Sequence, residues 1–228
     1  MDILPNLSVR IPTVGEILDN EQHYYNLIYS LTATPYQYMV QLDDMGIDFT
    51  TITDYQLFMM LFLVWAKGDL SILFGDIDLS DIFVKINPQN GLPVLYSPRN
   101  QIMIDEFVYN QIVNAIRKIN NLKRENRKPG NESARKYLLE RERRKQRRNA
   151  NKSYEPYLEK LVIALVNTSE FPYDYDSCMD LSIYKFNQSY KQIQHKIAFD
   201  KTMIGVYAGT VDISRLGDRS CLSWIPVK

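Results

Sequence analysis

The spacing of apolar residues changes several times along this chain, and each change marks an element. At the start, "TVGE" at 13–16 forms a capping box, and Val14, Ile17, Leu18, Tyr25, Ile28 and Leu31 follow on one helical face. "TPYQ" at 34–37 sets Thr at an N-cap, Pro at the first helical position and Gln at the third. Gly46 stands as the C′ residue, so a short helix over about 35–45 is predicted. "TDYQ" at 53–56 repeats the capping pattern and leads into "LFMMLFLVWA", residues 57–66. That run has no polar face, which predicts a core helix enclosed on most sides.

Between Ile82 and Ile104 the pattern shortens to "IFVKI", "LPVLY" and "QIMI", separated by the turn-forming "NPQNG" and "SPRN". A three-stranded antiparallel meander accounts for this most economically, and so small a sheet must lie on helices. The helical period returns with Ile104, Val108, Ile112, Ile116, Ile119 and Leu122, and again with Leu158, Leu161, Val162 and Leu165. A long last helix is marked by Ile183, Phe186, Tyr190, Ile193 and Ile197, whose alternating steps of three and four suit lengthwise packing on another helix or on a partner. Asp200 takes the next place in that stripe. Beyond it Gly205 and Gly209 loosen the chain, and an irregular tail follows with Trp224 and Ile225 as expected anchors. The fold class is therefore α+β, predominantly helical, with a β-meander over about 82–104 and a projecting basic helix. Three parts are expected: a helical domain with the meander (1–122), a basic linker and helix (123–152), and a C-terminal helical part (153–228) packed on the first, the whole forming one compact unit.

Charge alters this picture at one place. The chain is formally neutral, with 27 Lys/Arg and 27 Asp/Glu, yet residues 123–152 hold 13 Lys/Arg against 4 Asp/Glu, leaving 14 against 23 elsewhere. A strongly cationic segment thus faces an acidic remainder, which allows self-association as readily as any other pairing. Asn131 after Pro129-Gly130 is an N-cap for a helix to about 149. Ala134, Tyr137, Leu138 and Leu139 give it one apolar turn for docking, and the end carrying Arg141, Arg143, Arg144, Lys145, Arg147 and Arg148 projects. Glu132–Lys136 and Glu140–Arg144 are favourable pairs, whereas Arg141–Lys145, Arg143–Arg147 and Arg144–Arg148 repel, each by about 0.2–0.5 kcal/mol. Three uses are open to this segment: a solvated arm, a site for an acidic protein, and a site for nucleic acid. Tyr137 is its only ring, so it lacks the aromatic platform that holds single-stranded bases.

Catalytic patterns are weak. "GDIDLSD" at 75–81 begins like a calcium loop but has Asp81 where glycine is required and Asn87 at the twelfth place, so no metal is expected there. His23 and His195 have no ligand partners at metal spacing, and Cys178 in "DYDSCMD" sits among carboxylates that blunt a thiolate. No phosphate loop or nucleophile elbow is present, so the expectation is a protein without catalytic residues and without a cofactor. The longest apolar run is too short to cross a bilayer, so no membrane partner is expected. Two cysteines and no secretory pattern point to reduced thiols in a cytosolic setting.

Four runs, "IPTVGEILDNEQHYYNLIYSLTATPYQYMVQLDDMGIDF", "KPGNESARKYLLERERRK", "YEPYLEKLVIALVNTSEF" and "LSIYKFNQSYKQIQHKIAFDKTMIGVYAGTVD", together resemble proteins of tailed phages and prophages of Firmicutes. The resemblance spans nearly the whole chain and implies a tail-morphogenesis protein of the tail assembly chaperone kind. Such a chaperone binds the helical tape-measure protein, helps recruit tube subunits, and acts in the host cytoplasm during assembly. Arg141–Arg148 would then serve electrostatic engagement and Ile183–Ile197 packing. The alternatives are a phage nucleic-acid-binding protein using the same arm and a structural component of the virion.

Overall fold

The computed structural model describes residues 1–125, 127–217 and 219–225. In chain order, β1 (Asp2–Leu4) and β2 (Leu7–Ser8) precede α1 (Val14–Asp19), α2 (Glu21–Leu31), α3 (Met39–Asp44), α4 (Asp54–Trp65) and α5 (Ser71–Phe74). Then come β3 (Phe83–Ile86), β4 (Pro93–Ser97), β5 (Ile102–Ile104), α6 (Glu106–Ile119) and α7 (Glu132–Asn149). The remainder is α8 (Leu158–Val166), α9 (Tyr175–Met179), α10 (Ile183–Tyr207) and two 3₁₀ turns at Ile213–Arg215 and Ser220–Leu222. This is an α+β fold, mostly helical, and the meander lies where the turn residues placed it. The chain divides into two compact units, residues 1–12 with 19–156 and residues 13–18 with 157–228.

In the first unit the core is built on α4. Thr53 closes a complete capping box with Gln56, its Oγ accepting from Gln56 N at 3.1 Å while the Gln56 side chain accepts from Thr53 N at 2.8 Å. Phe58 and Phe62 are buried with their rings tilted together, centroids 5.1 Å apart, and Phe62 meets Phe74 of α5 edge-on at 5.9 Å. Tyr24, Leu27, Ile28 and Leu31 of α2 and Val108, Ile112, Ile116 and Ile119 of α6 are buried too. The enclosure of α4 is incomplete, since Val64 is exposed. β3, β4 and β5 pair antiparallel in that order, with Phe83 opposite Tyr96 and Leu95 opposite Ile104. Leu95, Ser97, Ile102 and Ile104 form the buried side of this sheet.

Two local expectations meet competition. The helix begun at Thr13 stops at Asp19, because the Asn20 side chain takes the backbone N–H of His23 and starts α2 afresh. The capping box at Thr13 is itself made, with Glu16 Oε2 accepting from Thr13 N at 2.8 Å. The helix expected from residue 35 begins at Met39. Gln37 does reach back to Thr34 N (2.8 Å), but Gln37 N and Tyr38 N bond the carbonyls three residues earlier, tightening 34–38 into turns. At the other end Gly46 (φ 73°) lets Ile47 N bond Leu42 O and Gly46 N bond Asp43 O, the paired closure of a left-handed C-terminal cap.

In the second unit Thr13 bridges Ser182 as an isolated antiparallel pair, and Val14 N donates to Leu181 O. Its buried side chains include Val14, Ile17, Leu158, Val162, Leu165, Phe171, Cys178, Ile183 and Phe186. The tail does not anchor through its large side chains: Trp224 and Ile225 are exposed. It is held by backbone carbonyls instead, Ser223 O at 2.7 Å from His195 Nε2 and Trp224 O accepting from Gln192 Nε2.

Three tyrosines of the first unit yield a pH prediction. Tyr24, Tyr55 and Tyr109 are buried, and burial raises each phenol, Tyr55 and Tyr109 to about 12 and Tyr24 further still. Tyr24 donates to Asn120 Oδ1 (2.8 Å) and Tyr55 to Ile104 O (2.7 Å). An unfolded tyrosine loses its proton near pH 10, so above that value the unfolded chain binds fewer protons than the folded one. Stability is therefore whole below about pH 10 and falls as pH rises toward 12. Urea unfolding across this range, with tyrosinate absorbance followed in parallel, is expected to show that fall; a flat midpoint would mean these hydroxyls ionise without cost.

Candidate functional site

The basic helix α7 has an inner and an outer face, and the two hold their arginines differently. Asn131 caps it, its side chain accepting from Ala134 N at 2.8 Å. Leu139 is buried in a cluster with Ala33, Met39, Val40, Leu42, Phe49 and Leu57, and Leu138 packs at its edge. On this inner face Arg135 binds Glu132 through two hydrogen bonds of 2.9 Å and approaches Asp48 at 3.6 Å. Its hydrogen bonds hold the Glu132 carboxyl below the usual range.

Arg143 reaches α3, lying 2.6 Å from Asp43 and 2.7 Å from Asp44. Both aspartates stand in the last turn of α3, where the helix dipole disfavours negative charge, and Arg143 offsets that. Arg143 is thereby engaged within the chain. The segment is also tied on either side of the helix: Arg124 Nε donates to Asp54 at 2.9 Å, and the Tyr154 hydroxyl donates to buried Glu21 at 2.7 Å.

The outer face is a stripe of Tyr137, Arg141, Arg144 and Arg148, recurring every three or four residues, with Arg147 beside it. Tyr137 and Arg141 each lie two residues from Leu139, a little over half a turn, so the stripe points away from the docked side. Tyr137 is 61% exposed, and the four arginines are exposed with it. Arg144 is paired to Glu140 at 2.8 Å and Lys145 to Glu142 at 3.4 Å. Among the described residues Arg141, Arg147 and Arg148 have no acidic neighbour at ion-pair distance. The structure thus divides the six basic residues singled out from the sequence: Arg143 is bound to α3, Arg144 and Lys145 are paired within α7, and Arg141, Arg147 and Arg148 are open. Sequence reasoning considered pairs within the helix and missed the Asp43–Asp44 contact, although the adjacent acids before Gly46 were the available signal.

The second set lies along α10. Ile183, Phe186 and Ile193 are buried, while Tyr190 and Ile197 are half-buried. Burial, aided by a hydrogen bond with Tyr157, raises the Tyr190 phenol. Asp200, the polar place in the stripe, is bound to Lys196 at 2.8 Å, and Lys196 also lies 3.8 Å from Glu170. Past it the stripe resumes with Ile204 and Tyr207, both exposed.

The sites with catalytic overtones have structural explanations. Asp78 pairs with Arg99, and Asp81 accepts from Ser97 Oγ (2.7 Å) and Arg99 N (2.8 Å), so these carboxylates hold the turn between β4 and β5. Among the described residues no group of three or more potential metal ligands comes together. His23 Nε2 lies 3.0 Å from Asp69 O. Cys178 is fully buried, and burial pushes its thiol up to about 11, where the sequence reading had assigned the effect to nearby carboxylates. No described helix is long and apolar enough to cross a membrane.

The stretch from Gln146 to Ile225, which holds the last turn of α7 and most of the second unit, is similar to a phage-derived domain of the Bacillus prophage type. The family model that matches is that of the YomV second domain, over residues 146–225, about a third of the chain. No curated protein and no solved structure matches it.

Proposed function

We propose that this is a non-catalytic phage assembly protein of the tail assembly chaperone kind, which engages an acidic helical partner through the outer stripe of α7. The observation that carries the reading is the contrast between the two faces of that helix. Its inner cations are matched by the chain's own Asp43, Asp44 and Asp48, whereas Arg141, Arg147 and Arg148 stand outward without counter-charge. Like charges held on one ordered face repel one another and gain most from an anionic surface. The phage-derived domain supports the setting, and the exposed Tyr137 gives the stripe an aromatic contact suited to a protein surface. The tape-measure protein and tube subunits are the partners in this reading, in the host cytoplasm during assembly.

Co-expression with a tape-measure protein from the same phage genome tests it. The expected result is a soluble complex that copurifies at moderate salt and loosens as salt rises. An insoluble tape-measure protein with no complex recovered would reject the chaperone reading. Should the chain instead bind random DNA, losing affinity by about three to five orders of magnitude between roughly 50 and 200 mM salt, the stripe is a phosphate-binding surface. Mass spectrometry of purified particles separates both from a permanent virion component.

A further inference from the structure

The meander has an edge that none of the above uses. β3 is hydrogen-bonded on one side only, to β4, so alternate residues of β3 direct N–H and C=O to the open side. All four of its residues are exposed; Phe83 and Val84 are each 45% exposed and Ile86 59%, with Leu92 of the adjoining turn at 58%. Edge strands are ordinarily blunted by proline, by a bulge or by a charge set in the path of a neighbour. β3 contains no proline, and its register with β4 runs unbroken from Phe83 opposite Tyr96 to Ile86 opposite Pro93. Its one charge, Lys85, is drawn over the sheet face, with Nζ 4.8 Å from the centre of the Tyr96 ring. The opposite edge is treated differently, since the Tyr55 hydroxyl satisfies Ile104 O on β5.

The sequence of this edge complements itself. Laid antiparallel on a second copy about Phe83, the edge sets Phe83 against Phe83 and Lys85 against Asp81, which stands two residues ahead of the strand, while Ile82 between them is buried in its own chain. A two-fold axis perpendicular to an antiparallel sheet must pass through a residue that meets its own copy, and centring on Phe83 opposes unlike charges and sets the two exposed Phe83 rings together. Centring on Lys85 would oppose two ammonium groups. The Asp81 carboxylate already accepts from Ser97 Oγ and Arg99 N, which leaves about half of its acceptor positions for the second copy's Lys85. We infer that β3 is a self-association edge, across which two copies of this chain pair antiparallel about Phe83 into one continuous six-stranded sheet. The inference stands apart from the α7 reading, because it uses neither the basic stripe nor an outside partner.

Sedimentation of the full chain tests it. The expected species is a dimer of the 26.7 kDa chain, and Val84→Asp is expected to raise its dissociation constant by about a hundredfold or more while leaving the melting curve close to the parent's. Val64→Asp, at a residue 70% exposed on helix α4, serves as the control and is expected to leave the dimer intact. Phe83→Cys supplies a second readout that does not depend on Val84→Asp folding. Residues facing each other across an antiparallel pair lie about 4.5–5.5 Å apart at Cα, inside disulfide range, so mild oxidation is expected to link the two copies. A chain that stays monomeric at every concentration, or a dimer indifferent to Val84→Asp, overturns the proposal. A dimer lost in Val84→Asp yet never linked through Phe83→Cys overturns the register about Phe83.

Discussion

The triple variant Arg141→Glu, Arg144→Glu, Arg148→Glu is expected to fold as the parent does and to lose affinity for its acidic partner by about two orders of magnitude or more. The fold is spared because these side chains stand on the face opposite Leu139 and touch none of the cluster around it. Within the helix the changes nearly balance. The Glu140–Arg144 pair is lost and a Glu–Glu repulsion replaces Arg144–Arg148, while Glu at 141 becomes a partner for Lys145; each pair is worth about 0.2–0.5 kcal/mol. Binding does not balance, because three attractions become three repulsions on one surface. Circular dichroism melting together with a pull-down of the tape-measure protein reads both halves. If the triple variant unfolds, the outer stripe belongs to the core and the functional reading falls with it. The complementary change, Arg143→Glu, acts on the other face and sets three carboxylates together at the end of α3.

Phe62→Ala is expected to destabilise the first unit by about 3–5 kcal/mol. The ring is fully buried, tilted against Phe58 and edge-on to Phe74, so its removal deletes apolar burial and leaves a cavity walled by two rings that cannot collapse far. Against a typical domain stability of about 5–15 kcal/mol, that is a large share of the whole. Urea unfolding gives the value directly. A loss below about 1 kcal/mol would show that α4 is not the centre of the packing, and that the wholly apolar run at 57–66 serves some other surface.

Phe62 also shows which features a linear reading can reach. Phe62 lies in a run with no polar face, and such a run has few places to go except a core. Thr53, Asn131 and Gly46 were legible for a similar reason: a cap is made between residues three to five apart, so its donors and acceptors are written side by side. The stripe of α10 was legible as far as Asp200, and its buried part is Ile183, Phe186 and Ile193. What escaped were contests between local options. Asn20 could continue the first helix or cap the second, and Thr34–Gln37 could open a helix or close a turn. In each case the local hydrogen bonds are nearly equivalent, and packing chooses between them.

The sequence by itself determined the helical periods, the caps, the three short strands and the concentration of charge in 123–152, because each depends on neighbours within about one or two turns of chain. Only the tertiary structure decided which arginines of that segment are occupied. Arg143 and Asp43 are separated by a hundred residues, and nothing in either neighbourhood encodes their meeting at 2.6 Å. The same holds for β3, whose short β-prone run predicts a strand but not an open edge. Exposure is a property of what else folds nearby, and for that reason the surfaces on which function rests are the last thing a linear pattern reveals.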